Sequence, residues 1–225
     1  MNGILLIDKP AGMTSHDVVA LVKRGLGGRD KVGHAGTLDP FATGLLIVLV
    51  GHATKIQARA MALLKRYETL ARLGATSSTG DPEGEIALTG RIPPDPPVLP
   101  TGRVKQRPPR YSAVKVGGRR AYARARAGEQ FELPERTVEI LRFEQVWREG
   151  VKARYEIECS SGTYVRSLIA DLGDAYCLEL RRTAIGPFSV GDAVAPPRGR
   201  AWEDPPLIAL ERALPLLPGS GPAGH

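Results

Sequence analysis

The stretch "GHAGTLDPFATGLLIVLVG", residues 33–51, decides the reading of this chain. Its second half, residues 45–50, is a continuous aliphatic run bounded by Gly44 and Gly51, which predicts a short buried strand. Its first half is a turn rich in glycine and threonine that presents one carboxylate, Asp39. Gly33 and Gly36 permit a positive φ or a close backbone approach, and Pro40 pushes Asp39 out of the helical region. Asp39 is thereby fixed at the mouth of the strand. Taken alone, an Asp-Pro pair also serves simply to close a turn or cap the segment that follows.

Elements read outward from this point in both directions. "ILLI" (residues 4–7) is a short buried strand stopping at Asp8-Lys9-Pro10. "GMTSHDVVALVKRGLGG" is a helix with Ser15 as N-cap, Asp17 in its first turn, a Val18/Val22/Leu26 stripe and terminating glycines. "ATKIQARAMALLKR" is helical, and "YETLARLG" alternates as a strand. "TSSTGDPEGEI" is a loop. Residues 93–109 hold seven prolines and almost no periodicity, so an extended loop is expected. "AYARARAGE" is a short basic helix. In "VKARYEIECSSG", Val151, Ala153, Tyr155, Ile157 and Cys159 face one way and charged residues the other, giving a half-buried strand. "TYVRSLIADLG" is a helix with Tyr164, Val165, Leu168, Ile169 and Leu172 on its apolar side. "ELRRTAIGPFSV" is strand and turn, and "PPLIALERALPLL" a last short helix. The mixture predicts an α+β protein with a mixed, mostly antiparallel sheet flanked by helices.

Composition limits the function. The chain has 225 residues, 42% hydrophobic and 24% charged, with net charge +7. That suits a globular core, and no apolar run approaches the roughly 20 residues of a membrane span. The N-terminus lacks the pattern of a signal peptide, so the expected location is the cytoplasm. Cys159 and Cys177 form no CxxC, and His16, His34, His52 and His225 do not cluster in the sequence. No Walker A, GxGxxG, HExxH or GxSxG motif occurs. Any catalysis is expected to use no nucleotide, flavin or metal, and to rest on carboxylates, tyrosines, arginines and a histidine.

The basic charge is concentrated. From residue 103 to residue 126 there are nine basic residues and no acid, interrupted by Tyr111 and Tyr122. Arg107, Arg110, Lys115, Arg119, Arg120 and Arg124 are the candidates for phosphate contact, which points to a nucleic acid. Arg166 falls off the apolar stripe of its helix, in the first turn. A cation there faces the positive end of the helix dipole, and a nearby anion would offset that.

The blocks "GILLIDKPAGMTSHDVV", "KVGHAGTLDPFATGLL", "KRYETLARLG", "TGDPEGEI", "PPRYSAVKVGGRRAYARARAGE", "SSGTYVRSLIADLG" and "LRRTAIGPF" occur in the order seen in the TruB family of bacterial tRNA pseudouridine synthases. The resemblance covers residues 3–218. It implies the pseudouridine synthase fold and isomerisation of uridine 55 in the TΨC arm of tRNA, without cofactor. Asp39 matches the family's catalytic aspartate, acting on a flipped-out uridine either as nucleophile at C1′ or through a glycal intermediate. Tyr67 matches the tyrosine that stacks on the target base, and Arg166 the arginine paired with the aspartate. His34, Tyr164 and Leu180 match positions that line the pocket or shape the RNA loop.

The resemblance further implies a single catalytic domain over residues 1–218, with a proline-rich and basic insertion at about 92–135 and a frayed tail at 219–225. The PUA domain of many family members is expected to be absent, as are a guide RNA and an obligatory protein partner, and the expected state is a monomer. Three rivals remain: a non-catalytic RNA-binding or RNA-folding protein on the same scaffold, a guide-dependent synthase of the dyskerin type, and a small-molecule hydrolase with an aspartate nucleophile. Activity on RNA versus small substrates separates these classes.

Overall fold

The computed structural model describes residues 1–219 apart from Ala113 and Arg200; the side chains of Lys115 and Arg120 also lie outside the description, as does the expected tail at 220–225. The elements run β1 (Gly3–Lys9), α1 (Ser15–Gly25), β2 (Val32–Ala35), β3 (Thr43–Val50), α2 (Gln57–Ala62), β4 (Lys65–Leu73), β5 (Ala75–Ser77), β6 (Ile86–Leu88), β7 (Gly102–Gln106), β8 (Lys115–Val116), β9 (Arg119–Arg120), α3 (Ala121–Arg126), β10 (Arg136–Glu149), β11 (Lys152–Cys159), α4 (Val165–Ala170), β12 (Ala175–Ile185), β13 (Phe188–Ser189), β14 (Ile208–Ala209) and α5 (Leu210–Ala213). They form two compact units: residues 1–67 with 181–225, and residues 68–180.

In the first unit β3 is central. It pairs antiparallel with β1 along its length, Gly3 opposite Val50 and Lys9 opposite Gly44. On its other side β2 takes the far half, Val32 opposite Val50, and β12 runs parallel to its start, Arg181 opposite Thr43. β14 extends the sheet beyond β1. The unbroken apolar run of β3 is needed because both faces are covered. Leu45, Ile47 and Leu49 join Ile4 and Leu6 in one core, while Leu46, Val48 and Val50 join Leu5, Ile7, Val18 and Val22 in another. Successive side chains alternate between the two cores, and each buried leucine or valine contributes about 1.5–3 kcal/mol.

The N-cap of α1 is Thr14, not Ser15. Thr14 Oγ1 accepts from the Asp17 amide at 3.1 Å, and the Asp17 carboxylate accepts from the Thr14 amide at 2.8 Å, a complete capping box. The Thr14 hydroxyl, donating to the Asp17 carboxylate at 2.7 Å, and then the Thr14 amide hold the Asp17 carboxyl below its usual range. The segment expected to be one helix before β4 is a 3-10 turn (Gly51–Ile56) followed by α2.

In the second unit the strand order is β12, β4, β11, β10, β7. β10 is antiparallel to β11 and, over residues 136–140, to β7. β11 alternates as expected, with Ala153, Tyr155, Ile157 and Cys159 buried. Two regions read as loops contain strands. β5 and β6 form a hairpin at the two ends of "TSSTGDPEGEI", and β7 lies inside the proline-rich segment. Pro108 and Pro109 follow β7, where no ladder donor is lost. Among the described residues no helix is long and apolar enough to cross a membrane.

Candidate active site

The first unit carries Asp39, His34 and Tyr67; the second carries Tyr164, Arg166, Leu180 and the basic set.

Asp39 is half-buried on the turn between β2 and β3, and five consecutive carbonyls of that turn accept hydrogen bonds. Arg182 donates through Nη2 to Gly36 O at 3.1 Å and through Nη1 to Thr37 O at 3.4 Å. Ser15 Oγ donates to Leu38 O at 3.3 Å and accepts from Leu38 N at 2.9 Å. The Asp39 carbonyl takes the Ala42 amide at 3.1 Å, and the Pro40 carbonyl takes the Gly12 amide at 2.8 Å. Lys9 Nζ also reaches Pro40 O at 3.1 Å, together with Met13 O and Pro10 O. Lys9 and Arg182 are both buried. The sequence shows them only as charged residues beside turns. Ser15, expected to cap α1, instead fastens the peptide immediately before Asp39.

His34 lies on β2, opposite Val48, and not in the glycine turn. Its carbonyl accepts from Gln57 Nε2 at 2.7 Å, and its ring meets that of His16 edge-on with centroids 5.2 Å apart. Two histidines far apart in the sequence are therefore neighbours in space. Tyr67 is the third residue of β4 and half-buried. Just before it, Lys65 is buried and donates to the carbonyls of Met61 and Leu63 at the end of α2. The Gly186 amide bonds Leu64 O at 2.8 Å, which anchors the entry to β4.

In the second unit Arg166 is 3% exposed, and one anion that faces it is Asp81. Arg166 Nη1 lies 3.2 Å from Asp81 Oδ2 and donates to Thr79 O at 2.6 Å, while Nη2 donates to Tyr111 O at 2.9 Å. Asp81 is itself braced, Oδ1 accepting from Thr79 Oγ1 at 2.5 Å and from the Glu83 amide at 3.1 Å. The loop backbone can lie this close because Gly80 has φ of +76°, and a Cβ there would sit 3.3 Å from Arg166 Cβ. Tyr164 is the N-cap residue of α4 without a capping side chain. Gln106 holds it instead, Oε1 accepting from the Tyr164 amide at 2.8 Å and Nε2 donating to its carbonyl at 2.9 Å. The Arg136 guanidinium stands 5.5 Å from the Tyr164 ring centre. Leu180 is buried at the middle of β12.

The basic segment is not acid-free in space. Glu129, three residues past its end, takes Arg119 Nη1 at 2.6 Å and Arg124 Nε at 2.8 Å, and its carbonyl takes Arg110 Nη2 at 2.8 Å. The bond from Arg124, then that from Arg119, holds the Glu129 carboxyl below its usual range. Arg110 and Arg124 also cover the Phe131 ring at 5.3 and 4.8 Å. Arg107 lies 3.5 Å from Glu135 and is largely exposed. The side chains of Lys115 and Arg120 lie outside the described residues. Several of the arginines expected to meet phosphate thus also build the segment itself. Among the described residues no group of three or more His, Cys, Asp or Glu is placed to hold a metal ion.

The family described as TruB family pseudouridylate synthase (N terminal domain) matches residues 23–165. A tRNA pseudouridine synthase B of Corynebacterium glutamicum is 42% identical over 236 residues, covering 96% of this chain and 78% of the relative. That of Geobacillus kaustophilus is 43% identical over 244 residues, covering 97% and 85%. Among solved structures, a chain of a Cbf5-Nop10-Gar1 complex superposes with a TM-score of 0.63 at 32% identity, covering 93% of this chain and 52% of its own length. This chain thus spans most of the curated relatives and about half of that structure's chain. With the ordered motifs, the mixed sheet and the matched relatives in agreement, the chain belongs to the TruB family of pseudouridylate synthases.

Proposed function

We propose that this protein isomerises uridine to pseudouridine at position 55 in the TΨC arm of tRNA, with no guide RNA and no obligatory protein partner, in the cytoplasm. The observation that carries the reading is the family match over residues 23–165 together with 42% identity to a tRNA pseudouridine synthase B over nearly the whole chain. The relatives that match along most of their own length are bacterial tRNA enzymes, whereas the chain of the Cbf5-Nop10-Gar1 complex is matched over about half of its length.

In this reading Asp39 is the catalytic carboxylate, Tyr67 the stacking partner of the target base, and Arg166 the arginine that works with the aspartate. His34, Tyr164 and Leu180 border the bound nucleotide. The C1′–N1 bond breaks, the uracil turns, and C5 bonds to C1′. C5 gives up its hydrogen and N1 takes up a proton, so the net reaction is an isomerisation that consumes no co-reactant. A uridine folded into tRNA must first leave its stack, which costs a few kcal/mol, less for a base already unpaired. Stacking on Tyr67 and phosphate contacts from Arg107, Arg110, Lys115, Arg119, Arg120 and Arg124 offset that cost. The well-tethered backbone around Asp39 supports its role, because a reacting carboxylate gains from being held before substrate arrives.

The test uses an unmodified tRNA transcript and the purified chain alone. Pseudouridine is mapped chemically after incubation, beside a transcript with cytidine at position 55. Modification confined to uridine 55 supports the proposal. Modification elsewhere refutes the site, and activity only with added guide RNA refutes the guide-free reading.

A further inference from the structure

We infer that Arg182 is a positioning residue for the reaction: its guanidinium locks the turn that carries Asp39 by bridging the carbonyls of Gly36 and Thr37 to that of Leu45. The inference rests on the proposed catalytic role of Asp39. Arg182 is 1% exposed, and among the described residues its guanidinium is hydrogen-bonded by backbone carbonyls alone. A charge buried in that way is a poor device for stability, since an apolar side chain of similar volume commonly serves a core as well or better. Its geometry explains its presence better than its energy does.

The rigid planar fork reaches two stretches of chain at once. Nη1 and Nη2 take the carbonyls two and three residues before Asp39, at 3.4 and 3.1 Å, while Nε takes Leu45 O at 2.8 Å on the strand after it. The turn is therefore tied to β3 across its base. The backbone is built to deliver this side chain. Arg182 lies opposite Gly44 in the parallel pairing of β12 with β3, where Gly44 has φ of +103°. A Cβ on Gly44 would stand 2.3 Å from Arg182 O and 2.8 Å from Arg182 N, so only glycine admits the strand this closely. Ser15 and Lys9 hold Leu38 and Pro40 from the other elements. Without Arg182, two of the five tethered carbonyls lose their donor, both on the N-terminal side of Asp39.

The experiment compares wild type with Arg182→Lys and Arg182→Met, using the full chain. Single-turnover release of tritium from C5 of the labelled uridine, tRNA affinity and thermal melting are measured for each. The expected result is a 10- to 100-fold slower turnover step in folded protein with tRNA affinity within about twofold, because a displacement of about 1 Å at a reacting group costs that much. Arg182→Lys, which keeps the charge but not the fork, should recover little of the rate. Unchanged rates in folded variants overturn the inference. So does a parallel loss of rate and affinity that follows the folded fraction, or failure of both variants to fold, since either assigns Arg182 to stability alone. Inactive wild type counts instead against the reaction proposed above.

Discussion

Thr14 and Ser15 are adjacent hydroxyls at the start of α1, and the structure gives them different work. Thr14 closes the capping box at an exposed helix end, so Thr14→Ala should cost about 1 kcal/mol. Ser15 is 1% exposed, and its hydroxyl serves both the amide and the carbonyl of Leu38, itself buried. Ser15→Ala therefore leaves two buried backbone groups unpaired, at about 1–3 kcal/mol for the unsatisfied amide with the carbonyl in addition. For a chain of this size each kcal/mol lowers the melting temperature by about 2–4 °C. Ser15→Ala should therefore melt several degrees below wild type and below Thr14→Ala. Kinetics should separate the two more sharply. Leu38 precedes Asp39, so Ser15→Ala should slow single-turnover tritium release by 10-fold or more, whereas Thr14→Ala should leave it within about twofold. Equal rates for the two variants, or a larger melting loss for Thr14→Ala, would refute the reasoning that Ser15 belongs to the Asp39 turn.

Three further outcomes follow from the same contacts. Gly44→Ala drives a methyl into the Arg182 backbone at a positive φ, so the variant should be recovered mostly as insoluble protein, as measured by the soluble yield. Asp81→Ala removes one carboxylate that faces the buried Arg166 guanidinium, which should cost about 1–3 kcal/mol and show in denaturant titration. Glu129 has a lowered carboxyl pKa in the folded chain, so its bracing of Arg124 and Arg119 persists above the ordinary value of 4.5 and is lost as pH falls through the folded one. Hydrogen exchange across α3 should thus be insensitive to pH near neutrality, once intrinsic exchange is allowed for, and accelerate in acid; Glu129→Gln should reproduce the acid state at pH 7.

The elements that declare themselves in the sequence are those whose apolar pattern suffices. The run at residues 45–50 needs burial on both faces whatever its neighbours, and Val18 and Val22 mark one helix face regardless of tertiary context. β7 is hidden among prolines because its pairing depends on β10, whose partner residues lie 30 to 38 positions later. The carboxylate and carbonyls that hold Arg166 come from residues 55 to 87 positions away, so its burial leaves no local trace. Lys9 and Arg182 escape for a related reason. The bonds described for them above go to main-chain carbonyls, which carry no residue identity to search for. Glu129 sits just outside the basic window, where counting charges along the chain cannot see it. The motif match named Asp39, but the device that holds its turn emerges only from the fold.

Asp39 is proposed to perform the chemistry on the target uridine, and Asp39→Asn is the decisive variant. The substitution keeps the shape of the side chain and removes its charge. An unmodified tRNA transcript labelled with tritium at uracil C5 reports the reaction, since forming the C–C glycoside expels that hydrogen into water. Stoichiometric release is expected of wild type and none above the no-enzyme control of Asp39→Asn, with tRNA still bound at wild-type affinity. Equal release by both proteins would contradict it and return Asp39 to the role of a turn residue.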